Sequence, residues 1–110
     1  DRWNASATIT QLAGDNIEIV GFGQNFAAMS QPCKTTEAHI ENGRFRVNNN
    51  PVMEWMAGNV VIATDANENI RCSREKSTEK IDGIVSLVMA IGVHDSAVIA
   101  AETDWNIYEL

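Results

Sequence analysis

The sequence predicts an α/β fold in which helices pack on a mixed sheet. Helix and strand patterns alternate along the 110 residues: a helical pattern at 4–16 precedes a β-branched segment at 17–23, and a hairpin pattern at 60–72 precedes an apolar helix. A helix followed this closely by a strand is typical of α/β layers. The composition, 45% hydrophobic and 21% charged, is that of one globular domain.

The first helix and the first strand rest on capping residues and on alternation. In NASATITQLAGDN (4–16), Asn4 or Ser6 is a candidate N-cap and Gly-Asp-Asn is a stop signal. The next segment, IEIVGFG (17–23), alternates and is rich in β-branched residues. This pattern predicts a strand.

Residues 29–43 predict a second, short helix. Ser30 is its candidate cap, Pro32 would lie in its first turn and Gly43 would end it. The segment RFRV (44–47) then predicts a brief strand.

A third helix and a hairpin follow. Residues 51–59 begin with proline, which suits a first helical position, and end in Gly-Asn. Residues 60–72 contain two β-branched runs separated by the turn-forming segment DANEN (65–69). This spacing predicts a β-hairpin.

The last helix is predicted from about residue 78 to residue 92. Its core stripe at helical spacing consists of Ile81, Ile84, Val85, Val88 and Ile91. A second, polar stripe includes Asp82, which therefore lies in the first turn on the side facing away from the core. A carboxylate there either has no role beyond the first turn of the helix or holds a ligand in a cleft. The pattern alone leaves both interpretations open.

Charge and cysteine content narrow the function classes. The net charge of −7 argues against broad attraction to nucleic acid or to an anionic membrane. No apolar run approaches the roughly 20 residues that span a bilayer, and no leader is evident, so no membrane partner is expected. The chain begins without methionine and is expected to be a piece of something longer.

Cys33 and Cys72 are expected to be reduced thiols of a cytosolic protein, although a bridge between them stays open.

Four blocks of the sequence carry a family resemblance: DRWNA (1–5), GFGQNFAAMSQPCKTTE (21–37), NNPVMEWMAGNVVIATDANENI (49–70) and SREKSTEKIDGIVSLVMAIG (73–92). In this order they resemble the closing portion of the large terminase subunit of tailed phages and prophages. The resemblance covers residues 1–93 and leaves 94–110 as an acidic tail of unknown role. It implies the C-terminal part of an RNase H-like nuclease domain whose leading strands are missing here.

The resemblance also implies a metal site. In the family, three acids hold two divalent ions, Mg²⁺ or Mn²⁺, for phosphodiester hydrolysis. The second acid corresponds to Asp1 and the third to Asp82, both expected as catalytic metal ligands, while the first would lie upstream. Glu79 either reaches the same metal or is a solvated acid that pairs with Lys76 or Lys80.

A cluster of basic residues lies between the hairpin and the last helix. It consists of Arg71, Arg74, Lys76 and Lys80. These side chains either grip DNA phosphates, with Lys80 as a phosphate or orienting contact, or form a solvated charge run balanced by neighbouring acids.

The implied function is endonucleolytic cleavage of concatemeric double-stranded DNA during phage DNA packaging, in the cytoplasm of a bacterial host. The resemblance implies the terminase small subunit and the portal as partners, and an exposed sheet edge favours pairing with a second copy. With only two of the three acids, the chain alone is expected to be inactive or weak. The alternative is a non-catalytic prophage remnant or a protein-interaction module, which the charge and the acidic tail favour.

Overall fold

The computed structural model describes residues 5–46 and 48–108, with side chains up to residue 99. Its elements are α1 (Ser6–Gly14), α2 (Phe26–Glu41), α3 (Pro51–Asn59), β1 (Ile62–Thr64), β2 (Ile70–Cys72) and α4 (Asp82–Tyr108). The strands β1 and β2 form an antiparallel pair in which Ala63 lies opposite Arg71. The predicted α/β class is confirmed, and the sheet of the described residues consists of this pair.

Helix α1 is confirmed, but the strand predicted after it is wrong. Residues 17–23 form no strand, because no strand lies beside them in the described part of the chain. Ile17 and Val20 are accordingly 50% and 54% exposed. At the start of α1, Ser6 is a helical residue and Ala5 precedes it without a side-chain cap, while the other candidate cap, Asn4, lies outside the described residues.

Helix α2 begins earlier than predicted because Asn25, not Ser30, is its N-cap. The Asn25 side chain accepts a hydrogen bond from the backbone N–H of Ala28 at 2.8 Å. Pro32 consequently lies inside the helix and not in its first turn. The predicted stop is confirmed, since Gly43 adopts a positive φ of 64° just after the helix.

Ser30 joins α2 to the hairpin. Its side chain is only 5% exposed, and its Oγ accepts a hydrogen bond from the backbone N–H of Ile70 at 3.1 Å. A buried N–H without a partner would be costly. The serine that the sequence suggested as a cap therefore fixes β2 against the helix.

The third helix and the hairpin form where predicted. Asn50 caps α3 by accepting hydrogen bonds from the backbone N–H groups of Val52 and Met53. In the turn between β1 and β2, Asp65 Oδ1 accepts hydrogen bonds from the backbone N–H groups of Asn67 and Asn69, both at 2.9 Å. The brief strand predicted at 44–47 is absent from its described residues 44–46.

The core lies between α2 and α4. The predicted stripe of α4 is confirmed: Ile81, Val85 and Val88 are at most 4% exposed, and Ile84 and Ile91 are partly buried. Met29 and Cys33 of α2 complete this buried cluster. The helix starts at Asp82 and not near residue 78, and its backbone continues through residues 93 and 94 to Tyr108.

Over Asp82–Ile99, α4 is long and apolar enough to cross a membrane, by length and composition only. This corrects the expectation that no such stretch exists. In the sequence the apolar run was predicted to end before His94 and Asp95. One such helix is weak evidence for a membrane span, because the core helix of a globular protein has the same composition. Here Val85 and Val88 pack in the core with α2.

Candidate functional site

Asp82 is the first residue of α4, and the residue before it anchors the start of the helix. Ile81 is 2% exposed, and its carbonyl oxygen accepts hydrogen bonds from the N–H groups of Ile84 and Val85, both at 3.0 Å. The side chain of Asp82, in contrast, is 68% exposed. A carboxylate at this position is stabilised by the helix dipole and remains accessible to a ligand.

The space beside Gly83 is filled from within the protein. A Cβ built on Gly83 would lie 3.0 Å from the sulfur atoms of both Met53 and Met56. The N–H of Gly83 also donates a hydrogen bond to Met56 Sδ at 3.1 Å. Helix α3 thus packs against the first turn of α4 and supports the backbone that carries Asp82.

Arg74 lies beside Asp82. Its Nη2 atom is 3.6 Å from Asp82 Oδ1, and its side chain is 56% exposed. Its Nη1 atom donates a hydrogen bond to Gln24 Oε1 at 2.9 Å. An ion pair this exposed stabilises the fold by at most about 1 kcal/mol, so its main consequence is the placement of a guanidinium next to the carboxylate.

Arg71 is fixed on the same side of the protein. Its Nη1 atom donates a hydrogen bond to the backbone carbonyl of Gln24 at 3.3 Å. Its guanidinium lies over the ring of Phe26, 4.2 Å from the ring centre. Such cation–π contacts restrain an arginine without neutralising its charge. Arg71 and Arg74 both line one hollow of about 300 Å³, together with Gln24.

A second hollow of about 240 Å³ contains Asp82 itself. It is lined by Arg74, Ser77, Glu79, Lys80, Ile81 and Asp82. The structure therefore brings four of the predicted side chains together, two acids and two bases. Lys76 lines neither hollow, and Glu79 forms no ion pair with Lys76 or Lys80 within the described part of the chain.

The segment that carries these residues is held by serines. The N–H of Ser73 donates to the carbonyl of Val61 at 2.8 Å, and Ser77 Oγ accepts a hydrogen bond from the N–H of Val61 at 3.1 Å. The Ser77 hydroxyl also donates to the carbonyl of Ser73. These bonds fix residues 73–77 to the hairpin just before the predicted start of the helix.

The metal site expected from the sequence is described only in part. Asp1 lies outside the described residues. Among the residues that the structure describes, no group of three or more His, Cys, Asp or Glu side chains could hold a metal ion. Asp82 and Glu79, which share a hollow, are the acids available there.

The two cysteines, between which the sequence left a bridge open, lie together in the core as a pair of free thiols. Cys33 of α2 and Cys72 of β2 are free thiols, as expected. The hydrogen bond from Cys72 lowers the pKa of Cys33 to about 7, against the opposing effect of burial. The same hydrogen bond and burial raise the pKa of Cys72. The two residues are 39 positions apart in sequence, and no local pattern indicates their contact.

Nothing in the sequence indicates a role for Gln24, which contacts both arginines. It is a single polar residue just before a helix cap and carries no motif of its own. Only the placement of the hairpin against the start of α2 reveals its contacts.

Comparisons with known proteins agree on one family. A profile described as "Terminase large subunit, endonuclease domain" matches residues 1–97. The protein "Terminase, large subunit" of Enterobacteria phage HK97 is 32% identical over 108 residues, which cover 96% of this chain and 21% of that protein. "Protein YmfN" of Escherichia coli (strain K12) is 40% identical over 94 residues, covering 84% of this chain and 21% of that protein.

A solved structure agrees. The crystal structure of the HK97 bacteriophage large terminase matches with a TM-score of 0.74 and 33% identity, covering 84% of this chain and 20% of that chain. The chain thus spans about a fifth of the length of the relatives it matches.

Proposed function

Because the chain belongs to the terminase large subunit endonuclease domain family, we propose that it is part of a nuclease that cleaves concatemeric double-stranded DNA during phage DNA packaging. The proposed reaction is metal-dependent hydrolysis of a phosphodiester. Asp82 is the residue on which the proposal chiefly rests.

The observation that carries the proposal is the charge arrangement around Asp82. One hollow contains the carboxylates of Asp82 and Glu79 together with the cations of Arg74 and Lys80. Acids alone would repel a phosphate, and bases alone would leave a metal ion without ligands. Their combination within one hollow suits a phosphate bound through divalent ions and arginine at the same time.

The side chains present fit a hard divalent ion. Carboxylate oxygens are the ligands that Mg²⁺ and Mn²⁺ prefer, and Asp82, being largely exposed, can exchange its arginine contact for an ion. We assign Asp82 and Asp1 as ligands, with Glu79 as an accessory ligand. When bound, the two ions would supply an activated water and would stabilise the charge on the leaving oxygen.

The basic residues are proposed to bind the DNA backbone. Arg71 and Arg74 are restrained by Gln24 and keep free N–H donors, since a guanidinium has five. Lys80 lines the same hollow as Asp82. Lys76 is exposed and would add only a non-directional charge.

The wider role follows from the family. The proposed setting is the cytoplasm of a bacterial host, with the terminase small subunit and the portal as partners and no membrane contact. We also propose a homo-oligomer through the outer edge of β1, where Ile62 is 47% exposed. A monomer whose sedimentation does not change with concentration would contradict that pairing.

The experiment that tests the proposal is metal-dependent DNA binding. The affinity for a short duplex is measured by fluorescence anisotropy in EDTA and in Mg²⁺, for the unmodified chain, for Asp82→Asn and for the control Asp95→Asn on the same helix. Mg²⁺ should raise the affinity of the unmodified chain and of Asp95→Asn. Asp82→Asn should lose this gain, yet bind at least as well in EDTA, because one negative charge near the phosphate is removed.

Two results would contradict the proposal. If Mg²⁺ does not change the affinity of the unmodified chain, no metal joins this site to DNA. If Asp82→Asn gains as much from Mg²⁺ as the unmodified chain, the metal binds elsewhere. The first result, together with failure to bind duplex in any buffer, would favour the non-catalytic remnant or interaction module.

A further inference from the structure

Gln24 occupies a position from which it contacts both arginines of the site. Its side-chain Oε1 accepts from Arg74 Nη1 at 2.9 Å, and its backbone carbonyl accepts from Arg71 Nη1 at 3.3 Å. Each arginine has one further restraint: Asp82 beside Arg74, and the ring of Phe26 under Arg71. One residue therefore links two cations, one in β2 and the other just after it.

The backbone around Gln24 is anchored on both sides. Before it, the ring of Phe22 packs so closely on α4 that a Cβ built on Gly92 would lie 2.5 Å from Phe22 Cζ. After it, the side chain of Asn25 caps α2 through the N–H of Ala28. Gln24 is thus an exposed residue on a short segment that has little freedom to move.

This anchoring matters because arginine side chains lose much rotamer freedom when they are ordered. A guanidinium held in place before DNA arrives avoids part of that entropic cost on binding. Asp82 alone restrains Arg74 weakly, since their contact is 3.6 Å long and exposed to solvent. The shorter, neutral hydrogen bond to Gln24 orients the guanidinium without adding a negative charge near the phosphate.

We propose that Gln24 is a positioning residue whose side chain holds Arg74 toward the DNA backbone beside Asp82, while its backbone carbonyl restrains Arg71. The inference rests on the proposed function, because it requires that the hollow receives a phosphate. Gln24 itself touches the two arginines and not the reacting atoms.

The test uses the salt dependence of duplex binding. Each phosphate contact made by a cation adds about 0.9 to the slope of log affinity against log salt concentration. Arg74→Ala should therefore lower the slope by about one. Gln24→Ala should lower it by a similar amount although glutamine carries no charge, and should weaken binding roughly fivefold, the equivalent of one net hydrogen bond.

Two further variants make the test specific. The double variant Gln24→Ala/Arg74→Ala should bind about as well as Arg74→Ala alone, because the Gln24 side chain acts through that arginine and the backbone contact with Arg71 is kept in both variants. The matched control is Gln31→Ala, an exposed glutamine of α2 that contacts only Thr35 among the hydrogen bonds described. It should leave both the affinity and the salt slope unchanged.

The outcomes separate the inference from the function on which it rests. An unchanged salt slope in Gln24→Ala, or losses from Gln24→Ala and Arg74→Ala that simply add, would overturn the positioning role and leave the proposed nuclease intact. If the unmodified chain does not bind duplex, the proposed function fails and the positioning role fails with it. A lowered slope with non-additive losses supports the inference.

Discussion

The contact between Phe22 and Gly92 predicts a large loss of stability for one added methyl group. A Cβ on Gly92 would lie 2.5 and 2.7 Å from Phe22 Cζ and Cε2 and 2.9 Å from Pro32 Cγ. Ordinary carbon–carbon contacts are about 3.5–4.0 Å, so Gly92→Ala forces the segment that carries Phe22, together with α2, away from α4. The site is affected as well, because the displaced segment carries Gln24.

The expected magnitude follows from two opposing effects. Overpacking of this kind costs about 1–3 kcal/mol, and the upper end applies because a rigid ring and a proline cannot shorten to make room. Replacing a helical glycine by alanine returns about 1 kcal/mol. The free energy of unfolding should therefore fall by about 2 kcal/mol, which lowers the midpoint of thermal unfolding by roughly 8 °C for a chain of this size.

Gly58→Ala is the matched control, measured by thermal and urea unfolding followed by circular dichroism. Gly58 lies in α3, and a Cβ there would meet nothing within 4 Å. This variant should gain up to about 1 kcal/mol from helix propensity alone. If Gly92→Ala is as stable as Gly58→Ala, Phe22 does not pack on α4 as described, and the argument for an anchored Gln24 fails.

Two further predictions concern titration. Burial raises the pKa of Asp65, but the hydrogen bonds from Asn69 and Asn67 outweigh it and lower the pKa overall. The contribution of this turn to stability is therefore full above the unfolded pKa of about 3.9 and declines as pH falls through the lower folded value. The amide NMR signals of Asn67 and Asn69 should shift together below that pH. Asp65→Asn should remove this pH dependence. If both amides titrate in the variant as they do in the unmodified chain, the role of Asp65 in the turn is refuted. In the core, Cys72→Ala removes the hydrogen bond that lowers the pKa of Cys33 to about 7. The pKa of Cys33 should therefore rise to its ordinary value or above, as measured by ultraviolet absorbance of the thiolate. A pKa that stays at about 7 would contradict the pairing.

Elements with strong local signals could be predicted from the sequence. Helix α3 and the hairpin formed within the predicted residues because Pro51, the capping Asn50 and the turn segment at 65–69 act through neighbouring backbone groups. The buried stripe of α4 was likewise correct because helical periodicity is a property of the segment itself. Local chemistry sufficed for these elements.

Predictions that depended on distant partners failed. Residues 17–23 have the composition of a strand, but a strand also needs a neighbour, and the described residues provide none. Ser30 looked like a cap, yet it is buried beneath the hairpin and binds Ile70, 40 positions away. The start of α4 was predicted too early, near residue 78. Between there and Asp82 the Asn59 side chain donates a hydrogen bond to the carbonyl of Lys80, a contact from 21 positions away that no local pattern indicates.

The candidate site divides in the same way. The resemblance indicated Asp82 and the charge run indicated the basic cluster, and the structure brings Asp82, Glu79, Arg74 and Lys80 into one hollow. The sequence could not indicate Gln24, because its contacts depend on how two separated segments of the chain meet. Tertiary packing decides which arginines face the carboxylate.

Whether Asp82 binds a divalent ion is tested most directly by titration with Mn²⁺. Paramagnetic broadening of backbone amide signals is compared between the unmodified chain and Asp82→Asn. We expect broadening centred on the first turn of α4 and on residues 74–80, which disappears in the variant. Broadening that is absent, or that is the same in both proteins, would mean that Asp82 is only an acid at the end of a helix and would contradict the assignment of a metal site.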